Sequence, residues 1–388
     1  MKRVLTTELA AHAGQRVLLQ GWLHRRRELS RVSFLVLRDR AGLAQVVVEQ
    51  APELLPETVL EIEGVAVANE QAPGGVEVHE PQIRVLAEPA DAPPVELHRP
   101  EPRESLPVRL DAAPVALRHP AVRERFRLAA RAVAAFRSTL DARGFTEIQT
   151  PKIVATATEG GANLFRIDYF GRDAFLAQSP QFYKQTMVGV FERVYEVGPV
   201  FRAEPHDTAR HLAQYTSLDA ELGFITDHRD VMAVLAVTLA GMAAAVAPWV
   251  ALEVPAEIPA VHFTEALRIA AAPDDEPDLA PAHERALGEW ARREHGSDFV
   301  FVTGYPMRKR PFYTHPDPAN PAYSNGFDLL FRGVELVTGG QRLHRYDDYA
   351  AALAAAGEPL EPYQGYLDGF RYGMPPHGGF AIGLERFV

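Results

Sequence analysis

Residues 178–222 hold side chains that could handle a charged small molecule next to a nucleotide. The segment begins with a polar cluster, continues through an apolar run to Phe-Arg-Ala-Glu at 201–204, and returns through a strand-like stretch. An arginine and a glutamate therefore end one strand, and an aromatic residue begins the next. This layout predicts a nucleotide lying across a sheet, with Lys184 and Asp219 beside it for a small zwitterion.

Two further segments could contact phosphates. The glycine-rich stretch 378–386 ends in Arg386, which could lie over a triphosphate, and glycines in a strand permit close backbone approach. It is not a GxxxxGK[ST] phosphate loop, and a tight β-turn is the alternative. Asp328 and Glu335 could converge on Mg²⁺ if Gly333 makes a turn or bulge between them, whereas two solvated carboxylates are the alternative.

Composition limits the class of protein. The 388 residues are 47% hydrophobic, which is enough for two or three domains. No apolar run reaches the ~20 residues of a membrane helix, and the N-terminus lacks the apolar core of a signal peptide, so we expect a cytoplasmic protein with no membrane partner. With 0 cysteines, thiolate chemistry and cysteine-based zinc sites are excluded. The net charge of −11 does not indicate a nucleic-acid partner, although local basic stripes decide phosphate contact.

The first 90 residues alternate in short β-like runs at 16–22, 32–38, 44–49, 58–68 and 82–86. Five short strands separated by turns predict a small closed barrel of the OB type. Between residues 25 and 40, six arginines face two acidic residues and surround Phe34. Basic residues around an aromatic suit stacked single-stranded bases, and a solvated arginine turn with Phe34 in the barrel core is the alternative.

The remaining chain reads as a linker followed by a helix-and-sheet domain. Prolines are frequent from 89 to 120, which predicts an extended, semi-rigid link. Apolar residues recur at helical spacing from 121 to 143, and a strand at 145–149 leads to Pro151. Further helices are predicted at 231–250, 261–271 and 281–295. Antiparallel strands are predicted over 322–342, with a turn at Gly339-Gly340.

Together these pieces resemble motifs 1, 2 and 3 of the class II aminoacyl-tRNA synthetases. They are the helix and strand ending at Pro151, the strand–loop–strand with Phe-Arg-Ala-Glu, and the glycine-rich strand ending at Arg386. A barrel ahead of that core is similar to the aspartate, asparagine and lysine subgroup, and Gln-Ser-Pro-Gln-Phe-Tyr-Lys-Gln at 178–185 looks like the aspartate-specific version. The length resembles the compact archaeal form, which lacks a large insertion between motifs 2 and 3.

The resemblance implies an α+β fold with three parts. They are an OB-fold anticodon-binding domain at 1–90, a proline-rich hinge at 91–120, and a catalytic domain at 121–388 built on an antiparallel sheet flanked by helices. The family continues beyond the motif 3 helix, so we expect the C-terminal end of the catalytic domain to be missing. Motif 1 implies a homodimer, although its apolar seam is equally consistent with packing inside one chain.

For the amino acid, the resemblance implies that Lys184 and Arg342 bind the β-carboxylate of L-aspartate. Asp219 and Gln181 would hold its α-ammonium, with Ser179 nearby. Glu159 matches a mobile loop that closes over the substrate. An isosteric amide facing two cations would leave them unpaired, which would reject asparagine.

For ATP, the resemblance implies that Arg202 grips the α-phosphate and Arg386 the γ-phosphate. Glu204 would read the adenine amino edge, Tyr215 would stack on the ring, and Asp328 and Glu335 would hold Mg²⁺, Glu335 also contacting the ATP. The implied reaction has two steps. The α-carboxylate of aspartate attacks the α-phosphorus and pyrophosphate leaves, and the 3′-hydroxyl of the terminal tRNA ribose then attacks the adenylate, forming aspartyl-tRNA and releasing AMP. Positioning and charge neutralisation suffice, and no protein nucleophile is needed.

For tRNA, Phe34 and Gln45 match the barrel positions that stack on and read the central anticodon base. Strict archaeal enzymes tend to carry a bulkier residue where this chain has His24, so we expect relaxed reading and charging of both tRNA(Asp) and tRNA(Asn). A neutral surface change at His24 is the alternative. The anticodon-binding residues implied in this way are His24, Arg25, Arg26, Phe34, Gln45 and Pro81.

Two other functions stay open at this point. An asparaginyl enzyme usually has an apolar residue or a carboxylate near the position of Lys184, and the lysine argues against it. A synthetase-like binding protein without catalysis would be indicated by loss of Arg202, Arg386, Glu335 or Asp328, and the sequence retains all four.

Overall fold

The computed structural model of the protein describes residues 1–29, 32–155, 164–205, 208 and 210–388. The chain divides into two compact units, Met1–Phe126 and Arg127–Val388. Separate clusters of buried apolar side chains lie in each unit, so each has a hydrophobic core of its own.

In the first unit, the described strands close into a barrel in the order β1-β2-β3-β5-β4. They are β1 (Arg16–Glu28), β2 (Ser33–Arg38), β3 (Leu43–Val48), β4 (Val59–Ala68) and β5 (Val76–Ala87). Apolar residues alternate along the strands and meet inside, where Leu35, Leu37 and Ile62 are fully shielded from solvent. The barrel predicted from the alternating pattern is confirmed.

Two barrel strands are longer than their sequence pattern indicates. Strand β1 continues to Glu28, and β5 begins at Val76. The pairing register shifts in β1 between Leu23 and Arg25 and again where β4 pairs with β5. Such a β-bulge inserts a residue and breaks strict alternation, so the period-two signal ends before the strand does.

The second half of the proline-rich segment is helical rather than extended. Helices α1 (Leu106–Asp111), α2 (Ala113–Ala116) and α3 (Pro120–Asp141) follow one another there. Pro107, Pro114 and Pro120 each stand in the first turn of one of these helices. A proline is tolerated there because the first N–H groups of a helix have no partner within it.

The second unit is built on a sheet whose described strands run in the order β12-β13-β14-β15-β16-β11-β10-β6. Most neighbouring pairs are antiparallel, while β10 with β6 and β12 with β13 are parallel. The strands are β6 (Thr146–Glu147), β10 (Arg193–Phe201), β11 (Gln214–Gly223), β12 (Ala260–His262), β13 (Phe299–Thr303), β14 (Gly326–Phe331), β15 (Val334–Arg342) and β16 (His377–Gly383). A smaller sheet has the strand order β7-β9-β8 and consists of β7 (Ile153–Val154), β8 (Arg166–Tyr169) and β9 (Arg172–Leu176).

Helices flank this sheet, as the predicted α+β class requires. Besides α3 they are α4 (Gln181–Phe191), α5 (His228–Val246), α6 (Phe263–Ile269), α7 (Pro281–His295), α8 (Tyr346–Ala356), α9 (Gln364–Arg371) and α10 (Leu384–Phe387). Among the described helices, α5 alone is long and apolar enough to cross a membrane. Its residues Val231, Leu235 and Leu239 are fully buried in the main core, which is the packing of a core helix.

The turn predicted at Gly339-Gly340 is wrong. Both glycines lie inside β15, and the turn between β14 and β15 falls at Arg332-Gly333, where φ is 51° and 74°. A Cβ on Gly339 would stand 2.4 Å from the ring of Phe327, so this glycine serves close strand packing instead. The glycine-rich stretch near the C-terminus likewise forms strand β16 and not a β-turn.

Candidate active site and nucleic-acid interface

A cavity of about 540 Å³ opens on the face of the large sheet, between the β10–β11 hairpin, β15 and β16. Ten residues predicted for the amino acid and ATP line it together: Ser179, Gln181, Lys184, Arg202, Glu204, Tyr215, Asp219, Glu335, Arg342 and Arg386. Asp328 is not among the lining residues, and Glu159 falls outside the described residues. Segments far apart in sequence therefore converge on one pocket.

Strand β11 supplies the floor of this pocket through simple alternation. Ser217, Asp219 and Glu221 are buried on one face, whereas Leu218 and its apolar neighbours on the other face join the main core. Successive side chains of a strand point to opposite faces, so one strand builds core and site at once.

The floor carries a network of buried charges. Lys184 Nζ lies 3.0 Å from Asp219 and 3.2 Å from Glu221, and Glu221 lies 3.1 Å from Arg342 Nε. Lys184 also donates to the carbonyl of Phe380, and Arg342 Nη2 donates to the carbonyl of Gly379. Burial opposes ionisation of Glu221, but Arg342 and Lys184 outweigh it and hold the pKa of this carboxyl below its ordinary value.

Glu221 was not singled out from the sequence, although the signal was present. It follows Asp219 by two positions in a strand, which places both carboxylates on one face. Its side chain is completely buried, and it joins the two cations that were predicted as ligands of one carboxylate.

The side of the pocket that was predicted to take the nucleotide carries several arginines. The guanidinium of Arg202 lies 5.5 Å from the ring centroid of Tyr215. Arg386 donates to the carbonyl of Glu335 at 2.7 Å and to the carbonyl of Arg210 at 3.1 Å.

Several pocket residues on this side were missed by sequence analysis. Arg210, His211 and Leu212 line the pocket from the loop after β10, and Glu385 lines it from α10. His211 lies 3.5 Å from Glu204. The loop that carries Arg210, His211 and Leu212 has no periodic pattern, so residue spacing alone could not predict where these side chains point.

Asp328 and Glu335 lie on the adjacent strands β14 and β15. Burial raises the pKa of Asp328 to about 7; Arg310 opposes this rise, and the nearby charge of Glu335 adds to it. Atom Oδ1 of Asp328 is buried without a hydrogen-bond partner, and Thr338 donates to Glu335 at 3.3 Å. The alternative of two solvated carboxylates is wrong for Asp328, which is 6% exposed.

These carboxylates suit a hard divalent cation. Arg310 comes no nearer to Oδ1 of Asp328 than 3.8 Å and donates no hydrogen bond to it, so this buried oxygen beside a second carboxylate could accept Mg²⁺ as a further partner. Among the described residues, no group of three or more His, Cys, Asp or Glu side chains could hold a metal alone. The donor set therefore fits an ion that takes its remaining ligands from a nucleotide and water.

The barrel presents a basic outer face with one half-buried aromatic residue. Cross-strand pairing places Arg25 opposite Val36, Arg27 opposite Phe34, and Val36 opposite Gln45, which puts these side chains on one face. Gln45 donates to Glu77 at 2.9 Å. Of the other predicted barrel residues, Arg26 is exposed near the end of β1, and Pro81 is half-buried in β5.

His24 is not a surface residue, so the alternative of a neutral surface change is wrong. It is the extra residue of the bulge in β1, is 7% exposed, and accepts a hydrogen bond on Nδ1 from Arg38 at 3.1 Å. Arg38 in turn donates to Glu57 at 2.8 Å. Burial and the adjacent Arg38 lower the pKa of His24 to about 4, so its ring is neutral at physiological pH.

Comparison with known proteins agrees with this architecture. Residues 105–388 match the family of class II tRNA synthetases (D, K and N), and residues 17–86 match the OB-fold nucleic acid binding domain. Among solved structures, the asparaginyl-tRNA synthetase of Pyrococcus horikoshii complexed with asparaginyl-adenylate is similar, with a TM-score of 0.90 and 29% identity over 100% of this chain and 94% of that one.

Curated relatives are similar over the whole chain. The Aspartate–tRNA(Asp/Asn) ligases of Thermus thermophilus and Deinococcus radiodurans are each 47% identical over 100% of this chain and 94% of their own lengths. The Aspartate–tRNA(Asp/Asn) ligase of Aeropyrum pernix is 42% identical over 97% of this chain and 90% of its own length. The protein is therefore a member of the class II tRNA synthetase family that comprises the D, K and N enzymes.

Proposed function

We propose that this protein is an aspartate–tRNA ligase that charges both tRNA(Asp) and tRNA(Asn). Its substrates are L-aspartate, ATP and tRNA. The observation that carries the proposal is the buried charge network of the pocket floor, in which Lys184 and Arg342 share Glu221 while Asp219 stands beside them.

The charges of the floor match aspartate. Asp219 pairs with the α-ammonium, with Gln181 and Ser179 alongside. The remaining groups, two cations and Glu221, carry one net positive charge, which the β-carboxylate neutralises. Asparagine would leave that charge buried and unpaired, so it is rejected. Glu159 closes over the bound amino acid.

The nucleotide lies across the sheet beside this site. Tyr215 stacks on adenine, Glu204 reads its amino edge, Arg202 holds the α-phosphate and Arg386 the γ-phosphate. Asp328 and Glu335 would hold Mg²⁺, which would supply charge neutralisation for the phosphates when bound. The chain's own contribution is to align the α-carboxylate with the α-phosphorus and to stabilise charge that develops there.

The barrel is the anticodon-binding domain. Phe34 stacks on the central anticodon base, Gln45 reads its edge, and Arg25 and Arg26 neutralise neighbouring phosphates. His24 and Pro81 relax reading at the third anticodon position, so tRNA(Asn) is also accepted. The enzyme acts in the cytoplasm as a homodimer that associates through the motif 1 helix α3 and its strand.

Aspartate-dependent ATP–pyrophosphate exchange tests the first step. We expect exchange with aspartate and little with asparagine, and Lys184→Met should lose about 10- to 100-fold in kcat/KM for aspartate because a buried charged contact disappears. Lys309→Met, an exposed lysine outside the pocket, is the matched control. Exchange with asparagine alone would identify an asparaginyl enzyme, and exchange with neither amino acid would favour a non-catalytic protein.

Charging of unmodified tRNA transcripts tests the second step. Labelled aspartate should reach both tRNA(Asp) and tRNA(Asn). A product with tRNA(Asp) only, even at high enzyme concentration, would contradict the dual specificity while leaving the aspartate assignment intact.

A further inference from the structure

A chain of four buried polar side chains lies behind the charged floor of the pocket. Gln185, Tyr349 and His377 are 0% exposed, and Tyr366 is 8% exposed. We call these four residues the buried relay. They come from α4, α8, α9 and β16, so the relay joins elements that are distant in sequence.

Hydrogen bonds connect the relay without a gap. Gln185 Nε2 donates to Tyr349 at 3.1 Å and contacts His377 Nε2 at 3.0 Å, and Tyr366 donates to Gln185 Oε1 at 2.8 Å. Tyr349 donates to the carbonyl of Leu343 at 2.8 Å. Nδ1 of His377 lies 2.9 Å from the carbonyl of Pro375.

With the Gln185 amide oriented so that its oxygen accepts from Tyr366, these contacts define the protons on His377. The carbonyl of Pro375 can only accept, so Nδ1 of His377 carries a proton. The amide nitrogen of Gln185 can only donate, so Nε2 of His377 must be the acceptor and cannot be protonated while this bond persists. The relay is therefore compatible with neutral His377 and incompatible with the imidazolium form.

The relay lies next to both cations of the pocket along the chain. Gln185 follows Lys184 on α4, and Leu343, which accepts from Tyr349, follows Arg342. His377 is paired directly with Arg342 across β15 and β16. A change in the relay would thus move the backbone that carries both cations.

We propose that the buried relay positions Lys184 and Arg342 and keeps His377 uncharged, and that it thereby sets the affinity for aspartate and the rejection of asparagine. This inference rests on the proposed function, because it concerns the same amino-acid site. The four relay side chains do not line the pocket, so they act as positioning residues.

The surroundings of His377 explain why its charge matters. The charged or titratable groups that act on it are Glu221 of β11, Arg342 of β15 and His344 just beyond that strand. The hydroxyls of Tyr349 (α8) and Tyr366 (α9) reach it only through Gln185. Burial is the main cause that lowers the pKa of His377 to about 4, with Arg342 and His344 adding to it against Glu221. A protonated His377 would compete with Arg342 for Glu221 and would add a positive charge to the buried ion network.

Removal of single hydroxyls tests the positioning role. Tyr366→Phe deletes the donor to Gln185, and Tyr349→Phe deletes the donor to Leu343, while both rings keep their aromatic neighbours. We expect KM for aspartate in pyrophosphate exchange to rise about 5- to 100-fold, because a buried acceptor loses its partner, with KM for ATP unchanged. Discrimination against asparagine should fall in parallel.

Tyr195→Phe is the matched control. It also removes a buried tyrosine hydroxyl from the same unit, one that donates to Asp141 at 2.7 Å and has no contact with the relay. A merely structural effect would lower the melting temperature and change the kinetics of all three variants alike. Equal KM values for aspartate in the relay variants and the control would overturn the proposal.

Gln185→Glu tests the charge of His377. A carboxylate at this position accepts a proton from Nε2, so the pKa of His377 should rise by about 1–3 units, as followed by NMR with His377→Asn for assignment. KM for aspartate should then vary with pH near neutrality in Gln185→Glu and stay flat in the wild type. A flat profile in both would contradict the relay, whereas absence of aspartate-dependent exchange in the wild type would instead contradict the proposed function.

Discussion

Oε1 of Glu221 lies 3.1 Å from Nε of Arg342, which lines the pocket, and both side chains are buried. Glu221 also contacts Lys184, which lies 3.0 Å from Asp219 as well, so two carboxylates compensate two cations before any ligand arrives. A buried ion network of this kind is costly to break by removing one member, because the remaining charges lose their compensation. The relationship leads directly to a stability prediction.

We expect Glu221→Gln to lower the free energy of unfolding by about 3 kcal/mol, since Lys184 and Arg342 lose the buried carboxylate that they share. Aspartate should raise the melting temperature of this variant more than that of the wild type, because the ligand brings a carboxylate to the same cations. Glu265→Gln, which breaks an exposed pair with Arg268, is the control and should change little. Thermal denaturation with and without aspartate checks this, and an unaffected Glu221→Gln protein would count against it.

We expect Phe34→Ala to raise KM for tRNA about 10-fold, because a base-stacking surface is lost, while pyrophosphate exchange stays normal. The two assays separate anticodon binding from amino-acid activation. Val67→Ala, an exposed apolar residue of β4, provides the control on the same barrel. A loss of exchange activity in Phe34→Ala would show instead that the barrel core had been disturbed.

Acid should destabilise the protein in part through His24. The pKa of His24 falls from 6.5 to about 4 on folding. Between these two pH values the ring is protonated in the unfolded chain and neutral in the folded protein. The stability from neutral His24 is therefore complete above 6.5 and is lost as pH falls from 6.5 towards about 4. His24→Gln, which can still accept from Arg38, should show a smaller loss across this window in urea titrations. An identical pH dependence in both proteins would contradict the assignment.

We expect Asp328→Asn to raise the Mg²⁺ concentration for half-maximal exchange about 10- to 100-fold, because an amide oxygen binds a hard cation less strongly than a carboxylate. EDTA should abolish exchange in the wild type. Asp298→Asn is a suitable control, because its carboxylate pairs with Arg292 and Arg332 away from the pocket. An unchanged Mg²⁺ requirement would remove Asp328 from the metal site.

Regular patterns predicted much of this architecture from the sequence. The barrel followed from period-two alternation and the helices from the spacing of apolar residues, because these patterns reflect burial on one face. Patterns failed where the backbone leaves regular geometry. The bulge at His24 and the extended backbone at Gly339 and Gly340 in β15 depend on contacts with the neighbouring strands.

Sequence patterns were also insufficient to predict all residues of the pocket and its surroundings. The resemblance named the cations and carboxylates that line it, but Glu221 and the buried relay depend on contacts between residues far apart in sequence. Gln185 and His377 are 192 positions apart and meet at 3.0 Å. No local spacing carries that information, since it arises from the strand order of the folded sheet.

The alternation of Ser217, Asp219 and Glu221 with apolar residues along β11 has a consequence for folding fidelity. A slip of one position in this strand would turn its two carboxylates into the apolar core and expose the core residues to water. Such a molecule could not remain folded, because unpaired buried charges are too costly. The register that buries the apolar residues of this strand also places its carboxylates at the site. A molecule with a wrongly registered site would therefore be unstable.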